Sequence, residues 1–197
     1  MRTKRIFDFF FALVAILILA PFLILFAIII KLDSPGPVFF VQERVGRYGK
    51  IFKILKFRTM FVHSEKEGSQ VTVSKDTRVT SSGKILRRFK IDELPQIFNV
   101  LYGDMSFVGP RPEVPKFVAF YPEKTKEIVL SVSPGITDYA AIEFRNENEL
   151  LVNQKDPELY YVHEILPIKL KYYEKYVQER SLWVDIRIII KTCILIF

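Results

Sequence analysis

The chain has a single cysteine, Cys193, and only two histidines, His63 and His163. One thiol excludes an internal disulfide and fits a reducing, cytoplasmic setting. Cys193 stands in an apolar run, so it reads as a packing residue and not as a catalytic thiol. The histidines fall in polar or helix-flanking contexts and do not pair as ligands, so neither a histidine metal site nor a Ser-His triad is expected. The chain also lacks His-Glu-x-x-His, Gly-x-Ser-x-Gly, a Walker lysine loop and a dinucleotide glycine fingerprint. Gly46-x-x-Gly49-Lys50 is too short for a phosphate loop and reads as a turn. There is no internal repeat or low-complexity tract. With 197 residues, one compact domain and a membrane segment fit, but hardly two full domains.

What is abundant is apolar. Phe9 to Ile30 is an uncharged stretch preceded by Arg2, Lys4 and Arg5, followed by Lys31 and interrupted at Pro21. About 20 such residues reach across a bilayer. A proline inside a helix removes one donor and clashes with the preceding turn, at about 3 kcal/mol, which predicts a kink or break. A broken helix with basic residues at both ends can dip into one leaflet and return, whereas an unbroken spanning helix would need neighbours to satisfy the freed carbonyl. The stretch is too long for a cleaved signal, and no small-x-small site follows it, so it is expected to stay in the mature chain. Net charge is +7, which suits anionic lipid headgroups, nucleotides or nucleic acid. The basic residues are scattered without aromatic interleaving, which speaks against nucleic acid.

Beyond the membrane segment, Val38 to Gln42 and Ile51 to Phe57 read as strands of a hairpin around a glycine-bearing turn at residues 44–50. Val62 to Gly83 is polar and aperiodic and reads as a mobile surface loop. Lys84 to Leu101 has helical apolar spacing with a restart near Pro95. Gly109-Pro110-Arg111-Pro112 must be a stiff extended corner, because each proline biases the residue before it away from helix. Glu113 to Leu130 reads as helix divided by Pro115 and Pro122, and Ser133-Pro134-Gly135 as a turn. Leu159 to Lys175, with a boundary at Pro167, and Ser181 to Phe197 are amphipathic helix candidates. The last of these can pack on the core, pair two chains as a homodimer, or lie along the bilayer with Trp183 as an interfacial anchor. The expectation is an α+β fold, with residues 1–32 as the membrane helix and 33–197 as a mostly helical domain bearing a small β-hairpin and interfacial helices.

One acidic pair invites chemistry. Asp92-Glu93 lies between Arg87, Arg88 and Lys90 on one side and Pro95 on the other. Adjacent acids also occur on solvated helix faces. A proline-marked irregularity, however, can aim them inward, and Arg111, stiffened by its prolines, can fork onto a phosphate. Two carboxylates with nearby arginines suit phosphoryl transfer: one attacks phosphorus while Mg²⁺, an oxygen-seeking ion, shields the diphosphate.

These residues belong to longer blocks. Phe39-x-Val41-Gln42-x-Arg44-x-Gly46, Lys56-Phe57-Arg58-Thr59-Met60, Asp92-Glu93-Leu94-Pro95-Gln96-x-x-Asn99-Val100, Gly103-Asp104-Met105-Ser106-x-Val108-Gly109-Pro110-Arg111-Pro112 and Pro134-Gly135-Ile136-Thr137 occur in this order. The pattern resembles the bacterial sugar transferase family, monotopic polyprenol-phosphate phosphoglycosyl transferases. The resemblance implies that a UDP-sugar gives its sugar-1-phosphate to the enzyme, releasing UMP. The phosphosugar then passes to polyprenol (undecaprenyl) phosphate at the cytoplasmic face of a bacterial plasma membrane. It implies Asp92 as the nucleophile, Glu93 as its partner for Mg²⁺ binding or acceptor deprotonation, and Arg111 as a phosphate contact. Thr137 belongs to the same set of substrate contacts. Arg58 is a phosphate contact or a salt-bridge partner, Arg44 is similar, and Arg87 orients the carboxylates or belongs to a basic face. The family's Ser-Pro helix break is Ala20-Pro21 here, and its Gly-Trp-Ala-Gln-like stretch is Asp138-Tyr139-Ala140-Ala141, which bears on sugar recognition. A catalytically inactive, membrane-tethered scaffold is the alternative reading.

Overall fold

The computed structural model describes residues 2–62, 77–152 and 154–196. A long helix, α1 (Arg2–Asp33), leads into an antiparallel hairpin of β1 (Phe39–Val45) and β2 (Ile51–Phe57). The register runs from Phe39 opposite Phe57 to Val45 opposite Ile51. α2 (Ser81–Arg88), a 3₁₀ turn at Ile91–Glu93, α3 (Gln96–Tyr102) and β3 (Ser106–Val108) follow, then α4 (Pro115–Val118) and α5 (Glu123–Val129). β4 (Gly135–Thr137) pairs in parallel with β3. The chain continues through α6 (Tyr139–Glu143), α7 (Glu147–Val152), α8 (Pro157–Tyr160), a π-helical turn at Tyr161–Ile165, α9 (Leu166–Glu179) and α10 (Leu182–Ile196). The mixed architecture, hairpin, proline-rich corner and late helices match the sequence reading.

The differences have local causes. α2 starts at Ser81, three residues before the expected Lys84, because the Thr80 hydroxyl accepts the Gly83 N–H at 3.0 Å and caps the helix. Gly83 is required there, since a Cβ would collide with the Thr59 carbonyl. Ser81 to Gly83 therefore leave the expected loop, while its central residues, with His63, lie outside the described residues. The helical stretch breaks at Lys90, in the left-handed region at φ 56, and only then restarts after Pro95. The β3–β4 pair was not legible from alternation, because each strand has three residues. Gly109 and Gly135 allow the close approach, each lying where a Cβ would strike the other segment's backbone. Cys193 is exposed on α10, so the expected packing role is not observed.

α1 carries the membrane question. It is long and apolar enough to cross a bilayer, with a mean hydropathy of 3.3 over its most apolar window. The expected break at Pro21 is not seen: the helix is continuous from Arg2 to Asp33 with Pro21 inside it. A proline deletes one helical hydrogen bond, and the turns on both sides are held by packing on the body. Ala12, Ala15, Ile16 and Leu19 join Ile97, Val100 and Met105 in one cluster. Leu23, Phe26 and Ile30 join Phe57 and Leu86 in another. The other face, including Leu17, Ile18, Ile24, Leu25 and Ile28, is exposed.

Both ends of α1 are fastened to the same globular body. Near its start, Lys4 pairs with buried Asp185 of α10 at 2.5 Å. Arg5 donates to the carbonyls of Val100 and Leu101 at 2.5 and 2.7 Å, at the C-terminal end of α3. At the other end Arg58 donates to Ser34 O at 2.8 Å, Ser34 Oγ at 2.6 Å and Pro37 O at 2.5 Å, with a longer approach to Ile30 O at 3.5 Å. A guanidinium set into the carbonyl end of a helix satisfies orphan acceptors and complements the dipole.

Candidate active site

The acidic pair sits on the 3₁₀ turn between α2 and α3. Ile91 packs on the Ile30–Phe57–Leu86 cluster, and Pro95 precedes α3, so the turn is held from both sides. Glu93 Oε1 accepts from Lys56 Nζ at 2.7 Å and from Arg111 Nη2, while Oε2 accepts from Arg111 Nη1 at 3.2 Å. This is a forked guanidinium–carboxylate pair with an ammonium added. The corner at residues 109–112 is irregular and extended, as its prolines require, and it delivers Arg111 across 18 residues of sequence.

The electrostatics separate the two acids. Burial alone would raise the Glu93 pKa, but the Arg111 and Lys56 charges outweigh it and hold the carboxyl well below the usual range. Burial raises Asp92, the adjacent Glu93 charge adds to this, and Lys56, Arg87 and Lys90 oppose it. Burial likewise lowers the Lys56 ammonium against the pull of Glu93. Glu93 lifts Arg111 well above its already high value. Two adjacent carboxylates thus face several cations in a partly desolvated place, an arrangement that receives an anion and keeps one acid committed to structure.

Arg44 completes the cationic rim. From β1 it donates to Pro112 O at 3.1 Å and Gln42 Oε1 at 2.7 Å, and lies 3.8 Å from Glu113 Oε2. Its Nε is buried with no partner among the described residues. Behind it, buried Glu113 accepts from the Tyr161 hydroxyl at 2.5 Å, on the π-helical turn, a feature frequent at functional sites. Lys169 joins Tyr161 to Glu147, at 2.5 Å from the latter. Arg87 Nε donates to Thr59 Oγ1 at 2.8 Å, with its charge felt at Asp92.

Two expected site residues stand apart. Arg58 is buried and spends its donors on the end of α1, which favours the structural one of its two expected roles. The Thr137 hydroxyl meets Thr192 of α10 at 2.7 Å. Lys56 was missed as a site residue: it is one of two lysines, with Lys53, in the apolar run Ile51 to Phe57, and nothing local singles it out. Glu113, one residue beyond the recognised corner, carried none.

Asp138 was also missed as a group with its own electrostatics. Its Oδ1 accepts the Ala141 N–H at 2.8 Å and caps α6, while Oδ2 is buried without a partner among the described residues. Burial pushes its carboxyl up to about 6, against the Ala141 N–H, Lys169 and Arg111. The folded protein then holds this proton between about pH 4 and 6 while the unfolded chain releases it, so stability falls as pH rises through that window. A displacement of this size corresponds to roughly 3 kcal/mol as an upper figure. Asp138→Asn keeps an equally good cap. It is expected to raise the melting temperature by several degrees at pH 7.5, with the gain vanishing by pH 4, as read by thermal unfolding across pH.

The sequence profile of the bacterial sugar transferases matches residues 1–197. The chain is 39% identical over 191 residues to a UDP-N-acetylgalactosamine-undecaprenyl-phosphate N-acetylgalactosaminephosphotransferase of Aeromonas hydrophila, covering 96% of this chain and 42% of that protein. It is 39% identical over 195 residues to a UDP-glucose:undecaprenyl-phosphate glucose-1-phosphate transferase of Xanthomonas campestris pv. campestris, covering 97% and 38%. A Caulobacter vibrioides protein of the same description is 38% identical over 194 residues, covering 96% and 67%. The chain thus spans about two fifths of the length of the first two relatives. With the profile matched from end to end and Glu93 of the acidic pair clamped by Arg111, the chain belongs to the bacterial sugar transferase family.

Proposed function

We propose that the protein transfers a sugar-1-phosphate from a UDP-sugar to polyprenol phosphate, giving a polyprenol-diphosphate sugar and UMP. The observation that carries the reading is the Asp92-Glu93 turn held against Lys56 and Arg111 beside the apolar helix. Relatives bearing the names of N-acetylgalactosamine and glucose donors support the reaction class and leave the sugar open.

The chemistry follows from the site. An Asp92 oxygen attacks the phosphorus that carries the sugar, and the bond from that phosphorus to the bridging oxygen breaks, so UMP leaves. An oxygen of the acceptor phosphate then attacks the aspartyl phosphosugar, restoring the Asp92 carboxylate and closing the new diphosphate. Arg111 and Arg44 hold phosphate oxygens; Lys56 keeps Glu93 oriented, and Glu93, kept ionised by its two cations, is a candidate ligand for a metal ion. A Mg²⁺ ion fits the donor set, because it takes one or two carboxylates and completes its shell with phosphate oxygens and water. No group of three metal-ligating side chains gathers among the described residues, so the diphosphate itself must supply ligands. When bound, the ion neutralises diphosphate charge.

The fastening of both ends of the continuous helix α1 to one body, with its other face apolar and exposed, supports a helix kept on one side of the bilayer, because a spanning helix would carry one end across. A monotopic protein on the cytoplasmic side of the plasma membrane is the resulting reading. The acceptor's long tail would expose many methylenes at about 0.8 kcal/mol each on leaving lipid, so the enzyme goes to the phosphate. A luminescent UMP assay across several UDP-sugars, with undecaprenyl phosphate and Mg²⁺, is expected to show acceptor-dependent turnover for at least one donor. No UMP from any donor would overturn the assignment.

A further inference from the structure

α1 offers more than an anchor. Beside its packed stripe runs an open concavity of about 310 Å³ lined by Ile24, Ala27, Ile28, Lys31, Leu32 and Val38. That volume falls at the small end of the range for ligand sites, about 300 to 1,000 Å³. Its wall is hydrocarbon except for one cation, Lys31, in the last turn of the helix. The small Ala27, set between larger neighbours, is where a bulky side chain would fill the hollow.

The concavity is joined to the acidic turn by packing. Val38 and Ile91 lie on the same Ile30–Phe57–Leu86 cluster, and Ile91 immediately precedes Asp92. Val38 O accepts the Arg58 N–H at 2.9 Å, which fixes it at the mouth of the hairpin. Two residues along β1, Phe40 pairs with Lys56, whose ammonium holds Glu93. At strand spacing Val38 and Phe40 are about 7 Å apart, so the hollow and the lysine that holds Glu93 border neighbouring positions at the start of the hairpin.

Resting on the phosphotransferase reading above, we propose that this groove seats the first isoprene units of the polyprenyl phosphate acceptor, with Lys31 drawing its phosphate toward Asp92. Within lipid, hydrocarbon gains nothing by leaving other hydrocarbon, so recognition must come from shape and charge. A branched tail ending in a phosphate matches both: the hollow is apolar, and its lining carries a single cation, Lys31. A phospholipid fills such a groove equally well by apolarity but has no reason to end at Asp92.

The test uses the full chain in phosphatidylglycerol-containing nanodiscs with a diazirine-bearing polyprenyl phosphate, and cross-linked peptides mapped by mass spectrometry. Labelling is expected at residues 24–38, competed by undecaprenyl phosphate and unaffected by added phosphatidylglycerol. It should fall at least five-fold in Ala27→Trp and in Lys31→Gln but not in Leu17→Trp, which alters the exposed face elsewhere. Kinetically, Ala27→Trp should raise the acceptor KM about ten-fold while leaving the first-turnover UMP burst as in the wild type. Labelling spread along α1, competition by phosphatidylglycerol, or an unchanged acceptor KM in Ala27→Trp would overturn the groove assignment. Absence of a UMP burst in the wild type would instead count against the transfer reaction, while the cross-link map still decides the groove.

Discussion

Asp92→Asn is expected to reduce acceptor-dependent UMP release by at least about 10³-fold, the scale on which losing a covalent nucleophile registers. Intact-mass spectrometry after incubation with a UDP-sugar and Mg²⁺ should show the phosphosugar adduct on the wild type and none on the variant. The fold should not suffer. Asp92 is disfavoured as an anion by its burial and by the neighbouring Glu93 charge, so a neutral isostere relieves a repulsion. An unchanged or slightly higher melting temperature with abolished turnover separates chemistry from folding. Full activity in this variant would remove Asp92 from the reaction.

Glu93→Gln should differ in kind, losing stability as well as rate. Glu93 accepts from Lys56 and, through both oxygens, from Arg111, so its removal leaves two cations facing each other in a partly dry site. Breaking a buried pair from one side costs about 3–5 kcal/mol, and solvent reaching Arg111 reduces this to about 2 kcal/mol. For a domain of this size that lowers the melting temperature by roughly 4–8 °C. The pH dependence has the opposite sign to that at Asp138. The Glu93 carboxyl is held well below its unfolded value, so its contribution is complete above about pH 4.3 and is lost as pH falls through the depressed folded value. Wild type and Glu93→Gln should converge in stability as the pH drops below 4. If their melting temperatures differ equally at pH 3 and pH 7, the clamp is not electrostatic.

The sequence made some parts plain for physical reasons. Prolines fix their own backbone, so the corner carrying Arg111 and the restart after Asp92-Glu93 were legible. Two short β-prone runs around a glycine-bearing turn made the hairpin legible, although β1 continues to Val45 and so places Arg44 on a strand. What failed was whatever depends on a distant partner. Arg58 reads equally as a phosphate contact or a structural partner, and only the folded chain brings the carbonyl end of α1 within its reach. Lys56 points to Glu93 only once the hairpin and the turn are folded together. β3 and β4 are too short for any local pattern and are joined across a 26-residue connection. The left-handed Lys90, not Pro95, breaks the helix, and nothing local demands that of a lysine.

The caps of α1 come from segments synthesised after it: Arg58 from the end of the hairpin, Asp185 from near the C-terminus. The leading helix is therefore no interchangeable tag. Grafted onto a foreign cargo, residues 2–33 would keep their greasy composition but surrender their seat, leaving Asp8 stranded and Lys4 without its counter-ion. The seat of α1 is completed only when α10, which carries the partner of Lys4 181 residues further along the chain, has packed on the body.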